Sequence, residues 1–158
     1  MEFTSDEWSE WCRKHDSGET VFSHGEFGFN ISDVCLTPKT AVRWSRGGRF
    51  SFEVNVAQSP CGRWSSGVEC RLGFRYSSSP AVFVLDLDEG FATVREAVRD
   101  GLEQIEQALS SEERDVAWHR GYEDEEAPEF RPRGELKAAR RELERLKDIY
   151  DPVQLELF

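Results

Sequence analysis

The sequence has little of what marks an exported, membrane-bound or disordered protein. None of its apolar runs approaches the length of a membrane-spanning helix. Residues 1–7 are partly acidic and lack the apolar stretch of a secretory signal, which predicts a cytoplasmic protein without membrane contact. The 12% of aromatic residues is too high for a disordered chain. A length of 158 residues predicts one domain with an attached segment.

Positive charge is also scarce, because 20 Lys and Arg stand against 31 Asp and Glu, a net charge of -11. This excludes a protein that coats nucleic acid over its whole surface, since phosphate contacts require local positive charge. One region departs from this balance: residues 40–76 hold six arginines and two glutamates, a net charge of +4. Any contact with nucleic acid is therefore expected to involve this region.

The four cysteines do not form a regular metal-binding or disulfide pattern. We interpret them as free thiols of a reducing compartment, with Cys70 packed as a small apolar side chain. The alternative is a zinc site, whose ligands would be Cys12, His15, His24 and Cys35. These residue types suit zinc, but the second pair lacks the short spacing of a zinc knuckle. The sequence predicts no cofactor and leaves this metal site open.

No complete catalytic motif is present. The three histidines, His15, His24 and His119, have no visible nucleophile partner, and both a phosphate-binding glycine loop and a nucleophile elbow are missing. Asp86, Asp88 and Glu89 offer the carboxylate oxygens that Mg²⁺ prefers, but they equally suit the polar turn before a helix. The sequence favours a non-catalytic protein without deciding the matter.

Alternating apolar and polar residues predict an antiparallel β-sheet of about five or six strands with one solvated face. The predicted strands are Thr20–Ser23, Phe27–Ile31, Ala41–Trp44, Arg49–Val56, Val68–Tyr76 and the more central Ala81–Leu87. The turn at Ser45, Arg46, Gly47 and Gly48 predicts a hairpin. The inward positions are predicted to be Phe50, Phe52, Val54 and Val56 in one strand, and Val68, Cys70, Leu72, Phe74 and Tyr76 in another.

Three helices are predicted around this sheet. Ser5–His15 is short and starts with a Thr4/Glu7 capping box, and Phe91–Leu109 carries the apolar stripe expected to cover the sheet. Glu135–Tyr150 has an apolar seam that packs on the domain or pairs with a partner helix. The fold class is therefore α+β. We predict an α+β domain (1–110), an acidic proline-containing linker (111–134), a C-terminal helix (135–151) and an extended docking tail (152–158).

The solvated face of the sheet is a candidate nucleic-acid interface. Its predicted contacts are Arg43, Arg49, Arg71 and Arg75. Aromatic platforms for base stacking are not expected there, because Phe and Tyr are predicted to point inward and only Trp44 and Trp64 lie nearby. Cross-strand Arg–Glu pairing is the favoured alternative, and coverage by the acidic block Glu123–Glu126 is a third.

The sequence after the helix-breaking Pro152 carries the most specific motif, Gln154-Leu155-Glu156-Leu157-Phe158. It resembles the Gln-Leu-x-Leu-Phe peptide by which bacterial replication and repair proteins, and some plasmid and phage proteins, dock on the DNA sliding clamp. Gln154, Leu155, Leu157 and Phe158 match the specified positions, and Glu156 takes the variable one. The resemblance covers five residues of 158 and extends to no other part of the chain.

This resemblance implies an accessory protein that the clamp recruits during replication, repair or a mobile-element function, and that meets DNA indirectly; the missing catalytic motif favours a non-catalytic role. It implies that Gln154 is held at the mouth of a cleft and that Leu155, Leu157 and Phe158 fill apolar subsites. One alternative is that these three side chains cap the protein's own core. Another is an acidic inhibitor or immunity-type protein that binds a basic partner. The sequence leaves the host, the process and the oligomeric state open.

Overall fold

The computed structural model describes residues 4–7, 18–118 and 133–151. It has the predicted α+β class, with strands in two antiparallel sheets rather than in one sheet of five or six strands. The small sheet pairs β1 (Phe22–His24) with β2 (Phe27–Phe29). The large sheet has the order β3-β4-β5-β6. Its strands are β3 (Lys39–Arg46), β4 (Phe50–Gln58), β5 (Trp64–Leu72) and β6 (Arg75–Ser79).

The predicted hairpin at Ser45–Gly48 is confirmed, because β3 and β4 pair antiparallel on either side of it. Gly47 has φ of 65°, a left-handed conformation that glycine adopts without steric cost. The alternation predicted for β4 is also confirmed. Phe52, Val54 and Val56 are buried beneath the helices, whereas Ser51 and Glu53 lie on the other face.

The prediction of one long strand over Val68–Tyr76 is wrong. The chain turns at Gly73 (φ 69°) and Phe74, and the backbone N–H of Gly73 donates to the carbonyl of Arg49. The turn adds residues between β5 and β6, so the alternation established up to Leu72 does not continue into β6. Phe74 is therefore 79% exposed and Tyr76 55% exposed, rather than inward-facing.

Two helices cover one face of the large sheet, and we call this side the covered face. The first, α1 (Val94–Trp118), begins later than predicted and continues past Leu109 into the segment predicted as linker. Its N-terminus is a capping box, since the Glu96 N–H donates to Thr93 Oγ1 and the Ala92 N–H donates to a Glu96 carboxylate oxygen. Val98, Leu102 and Ile105 of α1 pack into the core of the sheet.

The second helix, α2 (Arg133–Ile149), packs into the same core. The buried side chains of its apolar seam are Leu136, Ala139, Leu143 and Leu146. Arg140 binds Glu106 and Glu113 of α1 and Glu144 of its own helix. Of the two arrangements predicted for this seam, the structure has the one in which it packs on the domain.

The helices approach the sheet closely at Gly101 of α1. A Cβ added at this position would lie 2.5 Å from Cγ1 of Val54. Beside it, the hydroxyl of Ser66 donates to the carboxylate of Asp100 at 2.9 Å. The absent side chain at Gly101 thus lets α1 lie directly against β4.

The described residues cover the opposite face of the large sheet over only part of its length. After β6 the chain crosses over Gly67, and the small sheet with segment 80–91 packs on the Ala57/Ser65 end of β4 and β5. The predicted central strand Ala81–Leu87 is wrong, because the segment forms only an isolated bridge between Val82 and Val34. Ala81 and Val84 are buried, and Leu85 and Leu87 are exposed.

Several predicted features lie wholly or partly outside the described residues. Residues 5–7 are helical, and Thr4 and Glu7 form the predicted capping box through two backbone-to-side-chain hydrogen bonds. The rest of the helix predicted over Ser5–His15 lies outside, as do the acidic block Glu123–Glu126 and the segment 152–158. Across the ranges that the structure describes, no helix is long and apolar enough to cross a membrane.

Candidate functional site

The described residues leave half of the second face of the large sheet uncovered. This half presents a polar surface next to the β3–β4 and β5–β6 turns, and we call it the open patch. Its side chains form two rows across the four strands. The row nearer the turns, the turn row, consists of Ser45, Ser51, Arg71 and Tyr76. The second row, the carboxylate row, consists of Arg43, Glu53, Glu69 and Ser78. A depression of about 330 Å³ lies between them, with Arg43 and Tyr76 among its walls.

Two carboxylates stand side by side in the carboxylate row. Glu53 and Glu69 are direct cross-strand neighbours, and the pKa of Glu69 is raised, first by its hydrogen bond with Glu53 and then by desolvation and by the Glu53 charge. A hydrogen bond with Tyr76 and the charge of Arg43 act in the opposite direction. Arg43 binds Glu53 at 3.1 Å. The alternative prediction of cross-strand Arg–Glu pairing therefore holds for Arg43.

The four arginines predicted as nucleic-acid contacts do not share one face. Arg43 and Arg71 lie on the open patch, and Arg49 lies at the β3–β4 turn beside it. Arg75 is turned to the covered face, where its guanidinium binds Glu112 at 2.7 Å and also Asp115, both from α1. The placement predicted for Arg75 on the solvated face is wrong, because the turn at Gly73 restarts the alternation of β6.

Aromatic side chains are present where the sequence predicted none. Tyr76 lies in the turn row, with the Arg71 guanidinium 5.6 Å from its ring centroid. Phe74 lies at the β5–β6 turn, with the Arg49 guanidinium 5.4 Å from its ring centroid. Trp44 stacks on Phe52 at 5.2 Å on the covered face. The exposed arginine–aromatic pairs were therefore missed, although Gly73 and the run of serines after Tyr76 were signals that the apolar strand ends early.

The thiols and carboxylates considered as metal ligands are dispersed. Cys35, Cys61 and Cys70 are free, and burial raises the pKa of Cys70 to about 11. Asp86 and Glu89 are exposed and belong to a turn in which the Glu89 N–H donates to the Asp86 carbonyl. The described ranges contain no group of three His, Cys, Asp or Glu side chains that could hold a metal ion. Cys12 and His15 lie outside those ranges.

A second concave surface, the acidic groove, lies between the start of α1 and the end of α2. It encloses about 630 Å³ and has Phe91 and Leu102 among its apolar lining residues. Its carboxylates are Glu96, Asp100, Glu103, Glu144, Asp148 and Asp151, against the basic Arg99 and Lys147. Lys147 binds Glu103 at 3.2 Å. The groove is therefore strongly acidic.

The clamp-binding residues Gln154, Leu155, Leu157 and Phe158 lie outside the described residues. The end of the helix that precedes them is held firmly to the fold. Arg95 of α1 donates to the carbonyl of Ile149, and its guanidinium lies 5.4 Å from the ring centroid of Tyr150. This contact satisfies a carbonyl at the C-terminus of α2, where a cation is favourable. The motif therefore follows a fixed point on the domain.

Comparisons of the chain with protein-family models, with curated proteins and with solved structures found no match. Its function must be inferred from its own residues.

Proposed function

We propose that the protein is a non-catalytic accessory protein recruited to the bacterial DNA sliding clamp by Gln154, Leu155, Leu157 and Phe158. The observation that carries the proposal is the match of these four residues to the Gln-Leu-x-Leu-Phe pattern. The process served is replication, repair or a phage or plasmid function, in the bacterial cytoplasm. The clamp is the direct partner, and DNA is reached through it.

The energetics of the segment are suited to a short docking peptide. Burying Leu155, Leu157 and Phe158 offers about 1.5–3 kcal/mol for each side chain. Association and ordering costs remove much of this gross gain, which leaves an affinity near micromolar. The residue before Pro152 is biased towards an extended backbone, the form in which a short peptide enters a groove.

Two features of the described fold support a role for this segment rather than for α2. The apolar seam of α2 is used in the protein's own core, so the helix offers no second apolar face to a partner. Arg95 fixes the end of α2 to α1, so a partner bound at residues 154–158 would be held next to the domain. Recruitment would thereby place the large sheet close to clamp-bound DNA.

The test is a calorimetric titration of purified clamp with the full chain and with a Leu157→Ala/Phe158→Ala variant. We expect micromolar binding by the wild type and none by the variant, because two of three apolar anchors are removed. Glu156→Ala, at the variable position of the motif, is the matched control and should bind like the wild type. Absence of wild-type binding, or equal binding by the double variant, would overturn the proposal.

A melt of the same double variant separates docking from the alternative in which the tail caps the core. A docking segment predicts a free energy of unfolding within about 0.5 kcal/mol of the wild type. A core cap predicts a loss of several kcal/mol, as for other large-to-small core substitutions.

The acidic groove favours a second candidate function, an inhibitor or immunity-type protein that binds a basic partner. Six carboxylates against two basic side chains would attract such a partner and speed its association. Partner capture with the wild type, a form lacking residues 154–158 and a Glu144→Gln/Asp148→Asn form distinguishes the two functions. A basic protein that is retained without the segment but lost from the groove variant would favour the second.

A further inference from the structure

We infer that the open patch and the adjoining turns bind single-stranded DNA, with bases stacked on Tyr76 and Phe74 and phosphates paired with Arg49 and Arg71. The choice of DNA over RNA rests on the proposed recruitment to the sliding clamp. The recognition of a single strand rests on the surface itself.

The first argument is the distribution of charge. Residues 39–79, which span the large sheet, hold seven basic and two acidic side chains in a chain of net charge -11, and Arg43, Arg49 and Arg71 of this set lie on or beside the open patch. Both of those carboxylates lie in the carboxylate row, where Arg43 binds one of them. The turn row and the two turns contain arginine but no acidic side chain. A strip of local positive charge therefore runs along this end of the sheet, as phosphate binding requires.

The second argument is the pairing of arginines with exposed aromatic rings. The Arg71 guanidinium lies against Tyr76 and the Arg49 guanidinium lies against Phe74, with both rings more than half exposed. Aromatic rings on a positively charged surface are the usual platform for single-stranded bases, and a stacked guanidinium adds a cation–π contribution. Two rings on one sheet suit about two stacked bases.

The shape of the surface favours a single strand over a duplex. The open patch is the face of a β-sheet with a shallow depression, and both helices lie on the opposite face. Among the residues that the structure describes, this face therefore has no helix to insert into a major groove. Stacking on Tyr76 and Phe74 requires bases with a free face, which a duplex does not offer. The backbone charge of a duplex would still meet the arginines, but without the aromatic contribution.

The carboxylate row predicts a variant that binds more tightly. Glu69 lies two residues before Arg71 on the same face of β5 and diagonally across from Tyr76 of β6, so its negative charge opposes phosphates bound in the turn row. Glu69→Gln removes this charge and keeps the side-chain size. We expect it to strengthen binding at pH 7, a result that a merely structural role of the patch does not produce.

The experiment is a fluorescence-anisotropy titration of the purified full chain, without clamp, against a labelled oligothymidylate of about 15 nucleotides. We expect Tyr76→Ala to weaken binding about tenfold, the effect of losing one stacked base, and Tyr76→Phe to bind like the wild type. Arg49→Ser and Arg71→Ser should each lower the slope of log K against log salt by about 1. Arg141→Ser, an exposed arginine of α2, is the charge-matched control and should leave binding unchanged.

Three results would overturn the inference. These are no binding at low salt, binding of a duplex as tight as that of the single strand, or equal losses in Tyr76→Ala and Arg141→Ser. An oligouridylate bound more tightly than the oligothymidylate would overturn the assignment to DNA. The Leu157→Ala/Phe158→Ala variant should bind the oligonucleotide normally, so failure of clamp docking and failure of this inference are read separately.

Discussion

The two faces of the large sheet are built by alternate residues of the same strands, yet they differ in every physical respect. On the covered face, Phe52, Cys70 and Leu72 pack against two helices and are at most 2% exposed. On the open patch, their neighbours Ser51, Glu69 and Arg71 face solvent or the shallow depression. The comparison teaches that a single step along the strand separates side chains buried in the core from polar side chains that face solvent. Substitutions on the covered face should therefore lower the free energy of unfolding more than substitutions on the open patch.

The largest effect is expected for an aromatic ring removed from the covered face. Phe52→Ala should lower the free energy of unfolding by about 3–5 kcal/mol, since Phe52 is 1% exposed in the centre of the core. Tyr76→Ala, on the open patch, should change it by about 0.5 kcal/mol or less. Urea denaturation of the two variants measures both. Similar losses in both would show that the faces are not separated in this way.

The next largest effect is expected for an arginine between the two helices, compared with an arginine on the open patch. Arg140 joins α2 to α1 through Glu106 and Glu113, so Arg140→Met leaves these two α1 carboxylates without the cation that binds them both. We expect a loss of about 1.5–3 kcal/mol. Arg43→Met breaks one pair with Glu53 on the open patch, where the arginine is 69% exposed, and should cost about 0.2–1 kcal/mol. Denaturant midpoints in the opposite order would contradict the comparison.

The smallest effect is a pH dependence confined to the open patch. The raised pKa of Glu69 means that its contribution to stability is present below the pKa of the unfolded chain and is lost as pH rises through the folded value. Glu69→Gln should therefore be slightly more stable than the wild type at pH 7, by about 0.5 kcal/mol or less. The difference should disappear near pH 4. A difference in melting temperature that does not vary with pH would contradict this origin.

The alternation of apolar residues was sufficient to predict the covered face of β4 but not the strand that follows it. Phe50 to Val56 alternate without interruption, and the glycines at the β3–β4 turn mark its start. From Val68 to Tyr76 the apolar period also continues in the sequence, but Gly73 takes a left-handed conformation and the alternation restarts. Apolar residues at every second position predict a continuous strand, so this pattern cannot reveal a turn across which it continues in the sequence. The same turn explains the misplaced inward positions of Phe74 and Tyr76.

The crossing at Gly67 explains why Ala81–Leu87 could not be interpreted correctly. Its apolar residues predicted a central strand, whereas Ala81 and Val84 are buried by packing on the Ala57 end of the sheet. Ala81 and Val84 are buried because their segment crosses the face of the sheet. Such a tertiary contact leaves no periodic pattern in the local sequence. The helices were more predictable, because their apolar seams at helical spacing are long and their capping residues are local.

The candidate site was predictable in its charge but not in its composition. The excess of arginine in residues 40–76 marked the region, and Arg43 and Arg71 do lie on the open patch. The turn at Gly73 places Arg75 on the covered face and Tyr76 on the open patch, the reverse of the prediction. Identification of the docking motif required no fold at all, because its information lies in five consecutive residues.

The central claim is that the open patch, and not the covered face or the acidic groove, carries the chemistry of binding to nucleic acid. Hydroxyl-radical footprinting of the full chain with and without the oligothymidylate tests it most directly, because it reports the solvent access of individual side chains. We predict that modification of Tyr76 and Phe74 falls when the oligonucleotide is added, while that of Phe91 in the acidic groove and Phe22 on the small sheet stays constant. Unchanged modification of Tyr76, or protection centred on Phe91, would contradict the account.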